Sequence, residues 1–440
     1  MSHARTYLTL SPLPMPSRRD FVAQSVLAAA AIPRWKGSSI RSLYDAMSSG
    51  NGAPDDESYW QEIQRAFDLD RSIINLNNGG CSPAPSMVLE QMIRDVRFSN
   101  ELPVQHMWQV LEPRVEAVRR ELAIEFGCDP EEMAITRNAS ESNETVIFGT
   151  DMKAGDEAII TTLNYPRMQN AWRQRELRDG VVVKRLKLPT PIPSDDVFVK
   201  AFADAITPRT KVIEIMHLSF QTGYVAPVRK IMDLVKGKGI TVLVDGAHAF
   251  AHFPMSRDEL GADFYGTSLH KWLMAPIGTG FLYVRRNRVK DTWPLLACTY
   301  PTEQDDIRKY EQIGTHPAAN HNAIAVALTF NRGIGQERKT ARLRFLRDRW
   351  AKRLVAYSPR VKMITSLEPG AAGALAVVTI EGMDIGKLQG WLWGKHQIMT
   401  TPLVGDEFQG LRVTPNVYTM TQEIDRFAEK MEQAIRVGVA

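Results

Sequence analysis

The chain reads as an α/β protein: a mostly parallel sheet flanked by helices, followed by a smaller C-terminal α+β domain. Three observations lead there. Between residues 133 and 285 short apolar runs alternate with helical patterns, the rhythm of a sheet covered on both faces by helices. After about residue 335 that rhythm breaks into long helices and scattered strands. Finally, 440 residues exceed what one hydrophobic core organises, so two domains are expected.

The elements follow in order. A short opening helix is expected over 57–69, with Trp60, Ile63 and Phe67 at helical spacing. Ile73-Ile74-Asn75-Leu76 reads as a strand running into the Asn77-Asn78-Gly79-Gly80 turn. Apolar residues at 104, 108, 111, 115, 118, 122 and 126 predict one long amphipathic helix. Strands are predicted at 133–136, 158–161, 181–186, 212–216, 241–245 and 280–284, with a helix over 225–238. Beyond lie a basic helix (337–356), a strand (374–380), a helix (384–395), strands near 397–401 and 410–414, and a last helix (421–436).

Composition narrows the class. Apolar residues make up 44% and charged residues 24%, which is ordinary globular usage. A net charge of +4, with cations and anions interleaved, gives no case for nucleic acid. Cys81, Cys128 and Cys298 fit neither a zinc site nor a disulfide framework. No apolar run reaches the ~18 residues of a membrane span. Arg18-Arg19 and Phe21 precede a short, alanine-rich apolar stretch ended by Pro33. That pattern resembles a twin-arginine export signal, which would make the protein periplasmic or exported. The alternative is an alanine-rich surface helix in a cytoplasmic protein. Residues 34–56 read as a linker.

Several residues carry potential chemistry. Lys271 follows Ser268-Leu269-His270 and precedes Trp272-Leu273-Met274. An amine in apolar surroundings is more readily neutral and nucleophilic, as an imine-forming lysine must be. Asp245 ends the β-branched run Val242-Leu243-Val244. A strand-end carboxylate there suits pyridoxal 5′-phosphate (PLP), whose ring nitrogen works best when a carboxylate keeps it protonated. His248, three residues on, could reach the ring oxygen. Thr136-Arg137-Asn138-Ala139-Ser140 runs from a strand into a helix start, a natural anion site. Tyr165 follows another strand and could stack on a ring. Each feature also has a plain structural reading as a turn, a cap or core filling.

Taken together, the motifs resemble a family. Asn77-Asn78-Gly79-Gly80-Cys81-Ser82-Pro83, Arg137-Asn138-Ala139-Ser140-Glu141-Ser142, Val244-Asp245-Gly246-Ala247-His248, Gly266-Thr267-Ser268-Leu269-His270-Lys271, Ile277-Gly278-Thr279-Gly280 and Ile313-Gly314-Thr315-His316-Pro317 occur in sequence. They are similar to class V aminotransferases of the fold-type I PLP superfamily, in the isopenicillin N epimerase-like branch. The resemblance implies roles. Lys271 is the Schiff-base lysine, Asp245 partners the ring nitrogen and His248 the ring oxygen. Ala139, Ser140, Ser268 and His270 contact the phosphate, and Tyr165 stacks on the ring. Thr315 reaches the neighbouring subunit's phosphate, which implies a homodimer. Asn78 and Arg412 bind substrate, with Arg412 on the carboxylate. The implied division is a signal segment (1–33), the linker (34–56), an N-terminal segment packing with the small domain (57–80), a large PLP-binding domain (81–334) and the small domain (335–440).

Two departures from the family pattern matter. Phe220 stands where many relatives carry Asn, with Gln221 beside it as a substitute donor. Residues 396–411 contain no Cys, so the thiolate that accepts sulfur in cysteine desulfurases is absent there. The expected activity is an amino-acid epimerase or racemase. The alternatives are an aminotransferase, then a PLP-dependent lyase, then a non-catalytic binding protein.

Overall fold

The computed structural model describes residues 52–439 except 301 and 406, together with Leu43, Asp45, Met47 and Ser48. The export-signal segment and most of the expected linker lie outside the described residues.

The first strand, β1 (Ile74–Asn75), follows a helix at Glu57–Arg65. Seven strands then build the central sheet: β2 (Met133–Thr136), β3 (Glu157–Thr161), β4 (Val182–Leu186), β5 (Thr210–Met216), β6 (Thr241–Asp245), β7 (Phe264–Ser268) and β8 (Gly280–Val284). Their order is β2-β8-β7-β6-β5-β3-β4. All neighbours pair in parallel except β8, which runs antiparallel to β7 and β2. Every residue of β2, β3, β6, β7 and β8 is buried, and β2, β3, β6 and β8 accordingly read as short apolar runs rather than alternations. The edge strand β4 instead exposes Val182 and Arg185, and its Lys184 and Arg185 suit a protected edge.

A second, four-stranded antiparallel sheet holds β9 (Val361–Met363), β10 (Ala376–Ile380), β12 (Thr401–Val404) and β13 (Gln409–Val413), in the order β12-β13-β10-β9. The short β11 (Ile398–Met399) pairs in parallel with β1. Residues 74–75 are thereby tied to the C-terminal region. Helices Gln336–Tyr357 and Thr421–Val437 pack on the small sheet, burying Leu346, Trp350, Leu354, Phe427 and Met431 in its core. Among the described residues no helix is long and apolar enough to cross a membrane.

Three sequence expectations are corrected. The helix expected over 104–126 is two pieces, a π-helical turn at Val104–Leu111 and an α-helix at Glu112–Phe126. Pro113 sits in the first turn of the second piece. It has no N–H to donate and crowds the preceding turn, so the α pattern cannot run through it. Val104 and Trp108 are accordingly exposed, while Leu111, Val115, Val118, Leu122 and Phe126 are buried. The helix expected over 225–238 covers only Val228–Val235. Pro227 precedes it and Gly237, with φ of 75°, follows. Strand β7 was not expected at all, because Phe-Tyr-Gly-Thr-Ser has no apolar run. Its Gly266 is required by packing: an added Cβ would lie 2.1 Å from Asn143 Oδ1.

Candidate active site

The carboxyl ends of the parallel strands converge on one cavity of about 190 Å³. Such strand ends are where open α/β sheets collect ligands. Ala139, Ser140, Tyr165, Asp245, His248, Ser268, His270 and Lys271 all line it. The order of the strands does this work. Beyond β2 comes the helix Ala139–Gly149, and beyond β6 and β7 come Asp245–His248 and Ser268–Lys271.

One end of the cavity is built for an anion. Asn138 caps the helix, its Oδ1 accepting from the Glu141 N–H at 2.9 Å. The Ala139 N–H donates to Ser268 Oγ at 2.9 Å, so strand β7 and the helix start share one polar corner. Backbone N–H groups and the helix dipole favour negative charge there.

The other end holds an acid and a base. Asp245 is buried, and its Oδ1 accepts from the Ala247 N–H at 2.9 Å. Burial raises its carboxyl, while the Ala247 N–H and the Lys271 charge lower it in turn. Lys271 Nζ stands 3.1 Å from His248 Nε2. Burial lowers the amine to about 8, against the opposing pull of Asp245. Burial also drives His248 well below the usual imidazole range, with the Lys271 charge adding to it. His248 is therefore neutral and can accept from the Lys271 amine.

Orphaned polar atoms surround this space. Both amide atoms of Asn143, Nδ1 of His248 and Nε of Arg412 are buried with no hydrogen-bond partner among the described residues. Buried polar groups are normally paired. A ring nitrogen, a ring oxygen and an amino-acid carboxylate are the kinds of partner these atoms lack. The residues present thus fit PLP and its substrate.

Three expected site residues lie elsewhere. Arg412 is not on the cavity wall but just behind it, with Nη1 donating to Phe220 O at 3.4 Å and Nη2 to Asn77 Oδ1 at 3.1 Å. Asn78 is fully buried and committed internally, donating to Asn75 O and Thr414 O and accepting from Tyr418. Asn77 is the asparagine that meets Arg412. Thr315 lines a separate depression with Trp108, Arg308, His316 and His321. At the family's variable position, Phe220 lines the cavity and meets Tyr165 edge-on at 5.5 Å. Gln221 is not part of the lining.

Two functional neighbours escaped the sequence reading. Asn143 also lines the cavity. It lies one helical turn after Ala139, and that i, i+4 spacing was the available signal. Glu214, deep in β5, accepts from Trp172 Nε1 at 2.5 Å and Asn164 Nδ2 at 3.1 Å. Nothing local marks it.

The comparisons agree with this architecture. The aminotransferase class-V family model matches residues 74–402. Isopenicillin N epimerase of Streptomyces clavuligerus is 27% identical over 390 residues, covering 85% of this chain and 98% of that protein. The enzyme of the same name from Amycolatopsis lactamdurans is 28% identical, with the same coverage. A probable cysteine desulfurase of Synechocystis sp. is 24% identical over 83% of this chain and 91% of its own. Among solved structures, the apo cysteine desulfurase of Thermococcus onnurineus superposes with a TM-score of 0.73 at 20% identity, covering 85% of this chain and 98% of that one. The family match spans well over half of the sequence, and this chain belongs to the class V aminotransferases.

Proposed function

We propose that this protein is a PLP enzyme acting at the α-carbon of an amino acid, with Lys271 as its Schiff-base lysine and epimerisation or racemisation as its reaction. The observation that carries the proposal is one cavity with an anion corner at Ala139, Ser140 and Ser268, a buried Asp245 and the Lys271 amine beside His248. The relatives named isopenicillin N epimerase, matched over 98% of their length, favour epimerisation over transamination.

When bound, the cofactor supplies an electron sink. The chain's residues do the rest. Ala139, Ser140, Ser268 and His270 would bind the phosphate, and Tyr165 would cover the ring. Asp245, oriented by the Ala247 N–H, would hold a proton at the ring nitrogen. Arg412 turns its unpartnered Nε and neighbouring nitrogens to the substrate carboxylate. The Lys271 amine would take the α-proton; burial lowers it to about 8, which leaves it a usable base near neutral pH. Epimerisation also needs a proton returned to the other face of the same carbon. Tyr165, a phenol that lines the same cavity, would supply it. Thr315, remote from its own cavity, reaches the site of a second copy in a homodimer.

The test is incubation of the holoenzyme with L-amino acids in D₂O. D-product with deuterium at the α-carbon supports the reading. A keto acid with cofactor left in its amine form would assign the aminotransferase alternative instead.

A further inference from the structure

His252 is a buried histidine that touches both the turn carrying His248 and the segment leading into the C-terminal sheet. It is 1% exposed. Its Nε2 accepts from the Ala374 backbone N–H at 2.8 Å. A backbone N–H can only donate, so Nε2 carries no proton and the imidazole hydrogen is on Nδ1. That hydrogen points at the His248 carbonyl, 2.8 Å away. The ring face stacks on Trp272 with centroids 3.6 Å apart and an interplanar angle of 16°. The residue's own carbonyl accepts from Thr340 Oγ1 at 3.2 Å.

Each contact leads somewhere. His248 is the partner of the Lys271 amine, at 3.1 Å. Trp272 follows Lys271 in the chain, and its carbonyl is held by the buried Lys339 amine. Ala374 leads into β10, whose Val377 pairs with Arg412 on β13. One imidazole therefore joins the strand pair carrying the carboxylate clamp to the turn and loop carrying the proton-moving pair. The fit on the small-domain side is tight: a Cβ on Gly373 would lie 2.6 Å from His252 Cε1. Burial lowers the imidazole to about 3, with the Lys339, Arg344 and Arg347 charges adding to it. The neutral tautomer needed for both hydrogen bonds is thus kept at any working pH.

The geometry points to His252 as a positioning residue that sets the register between Arg412 and the Lys271–His248 pair. It is not part of the cavity lining. The inference rests on the reading of Lys271 as the Schiff-base lysine and adds to it how the amine is kept aligned with the carboxylate clamp. Misplacing reacting groups by about 1 Å can cost on the order of 100-fold in rate, so such a register matters.

The test compares wild type, H252F, H252Q and G373A. H252F keeps an aromatic ring on Trp272 but loses both hydrogen bonds. H252Q offers an amide oxygen to Ala374 and an amide N–H to His248. G373A crowds the ring from the opposite side without altering His252. Amide exchange at Ala374 is read in the apo-protein, and it should quicken about 10-fold in H252F, as loss of one buried hydrogen bond implies. In the holoenzyme, H252F should retain its cofactor absorbance while kcat falls roughly 10-fold or more and KM for the amino acid rises. G373A should move the same readouts in the same direction, and H252Q should recover most of the loss. H252F and G373A proteins with wild-type amide exchange, kcat and KM would overturn the inference, as would loss of thermal stability with no kinetic change. If H252F does not fold, G373A and H252Q decide the matter by the same readouts. A wild-type protein that forms no Schiff base would instead remove the reading of Lys271, and amide exchange at Ala374 would still report the bridge.

Discussion

Glu214 and Asp245 occupy the same face of neighbouring parallel strands, Glu214 opposite Leu243 and Asp245 opposite Met216. The Glu214 carboxyl thus lies one side-chain step below that of Asp245, inside the sheet. Burial raises Glu214 to about 8, and the Asp245 charge adds to it. Glu214 is therefore a neutral acid at neutral pH.

This pair makes a stability prediction. The folded form of Glu214 holds its proton up to about pH 8, whereas an unfolded Glu releases it near pH ~4.3. Between those values the native state binds the extra proton, so stability falls as pH rises. Its contribution is fully present below the lower value and lost above the upper one. E214Q cannot titrate. Denaturant unfolding at pH 5, 7 and 9 should show E214Q losing stability less steeply than wild type, by roughly 1 kcal/mol per pH unit. Parallel curves for the two proteins would refute this account of Glu214.

The phosphate corner makes a second prediction. Ser268 Oγ already accepts from Ala139 N–H, and its hydroxyl hydrogen is left for a phosphate oxygen. S268A should weaken PLP binding about 10- to 100-fold, the range of a hydrogen bond to a charged group. Equilibrium dialysis of the apo-protein against PLP measures it. Unchanged affinity would mean that the phosphate is held without Ser268.

Arg412 gives a third. Its buried guanidinium is lowered to about 10, by burial first, and stays charged through the neutral range. R412K keeps the charge but loses the planar fork. KM for the amino acid should rise about 10-fold or more with a smaller change in kcat, as expected for a group that mainly binds. Steady-state kinetics decide it, and an unaltered KM would move the carboxylate site elsewhere.

Much of this was legible in the sequence, for identifiable reasons. Strands over 133–136, 241–245 and 280–284 were read to the residue, because strands buried on both faces are short apolar runs with sharp polar ends. Eight of the expected site residues line one cavity, since strand-end motifs of a parallel sheet meet at one edge. What was not legible depends on distant partners. Glu214 is held by Trp172 and Asn164, and His252 is explained by Ala374, 122 residues away. Asn78 and Asn77 are adjacent in sequence, and only the fold shows which one meets Arg412.

Tyr165 gives the last prediction, a test of the proposed inversion. It lines the cavity with Lys271, is 41% exposed at its mouth and packs edge-on against Phe220. Lys271 Nζ stands 3.1 Å from His248 Nε2. An enzyme with one proton carrier can exchange the α-hydrogen of its L-substrate and return it to the same face. Inversion needs a second carrier. Y165F keeps the aromatic face and the contact with Phe220 but removes the phenolic proton. In D₂O, Y165F should still exchange the α-hydrogen of the L-amino acid within about threefold of wild type, because Lys271 is intact. Formation of the D-product should fall about 100-fold or more, the usual effect of losing a general acid. Equal loss of exchange and inversion would make Tyr165 a ring-packing residue only. Full inversion in Y165F would place the second proton on another group of the cavity.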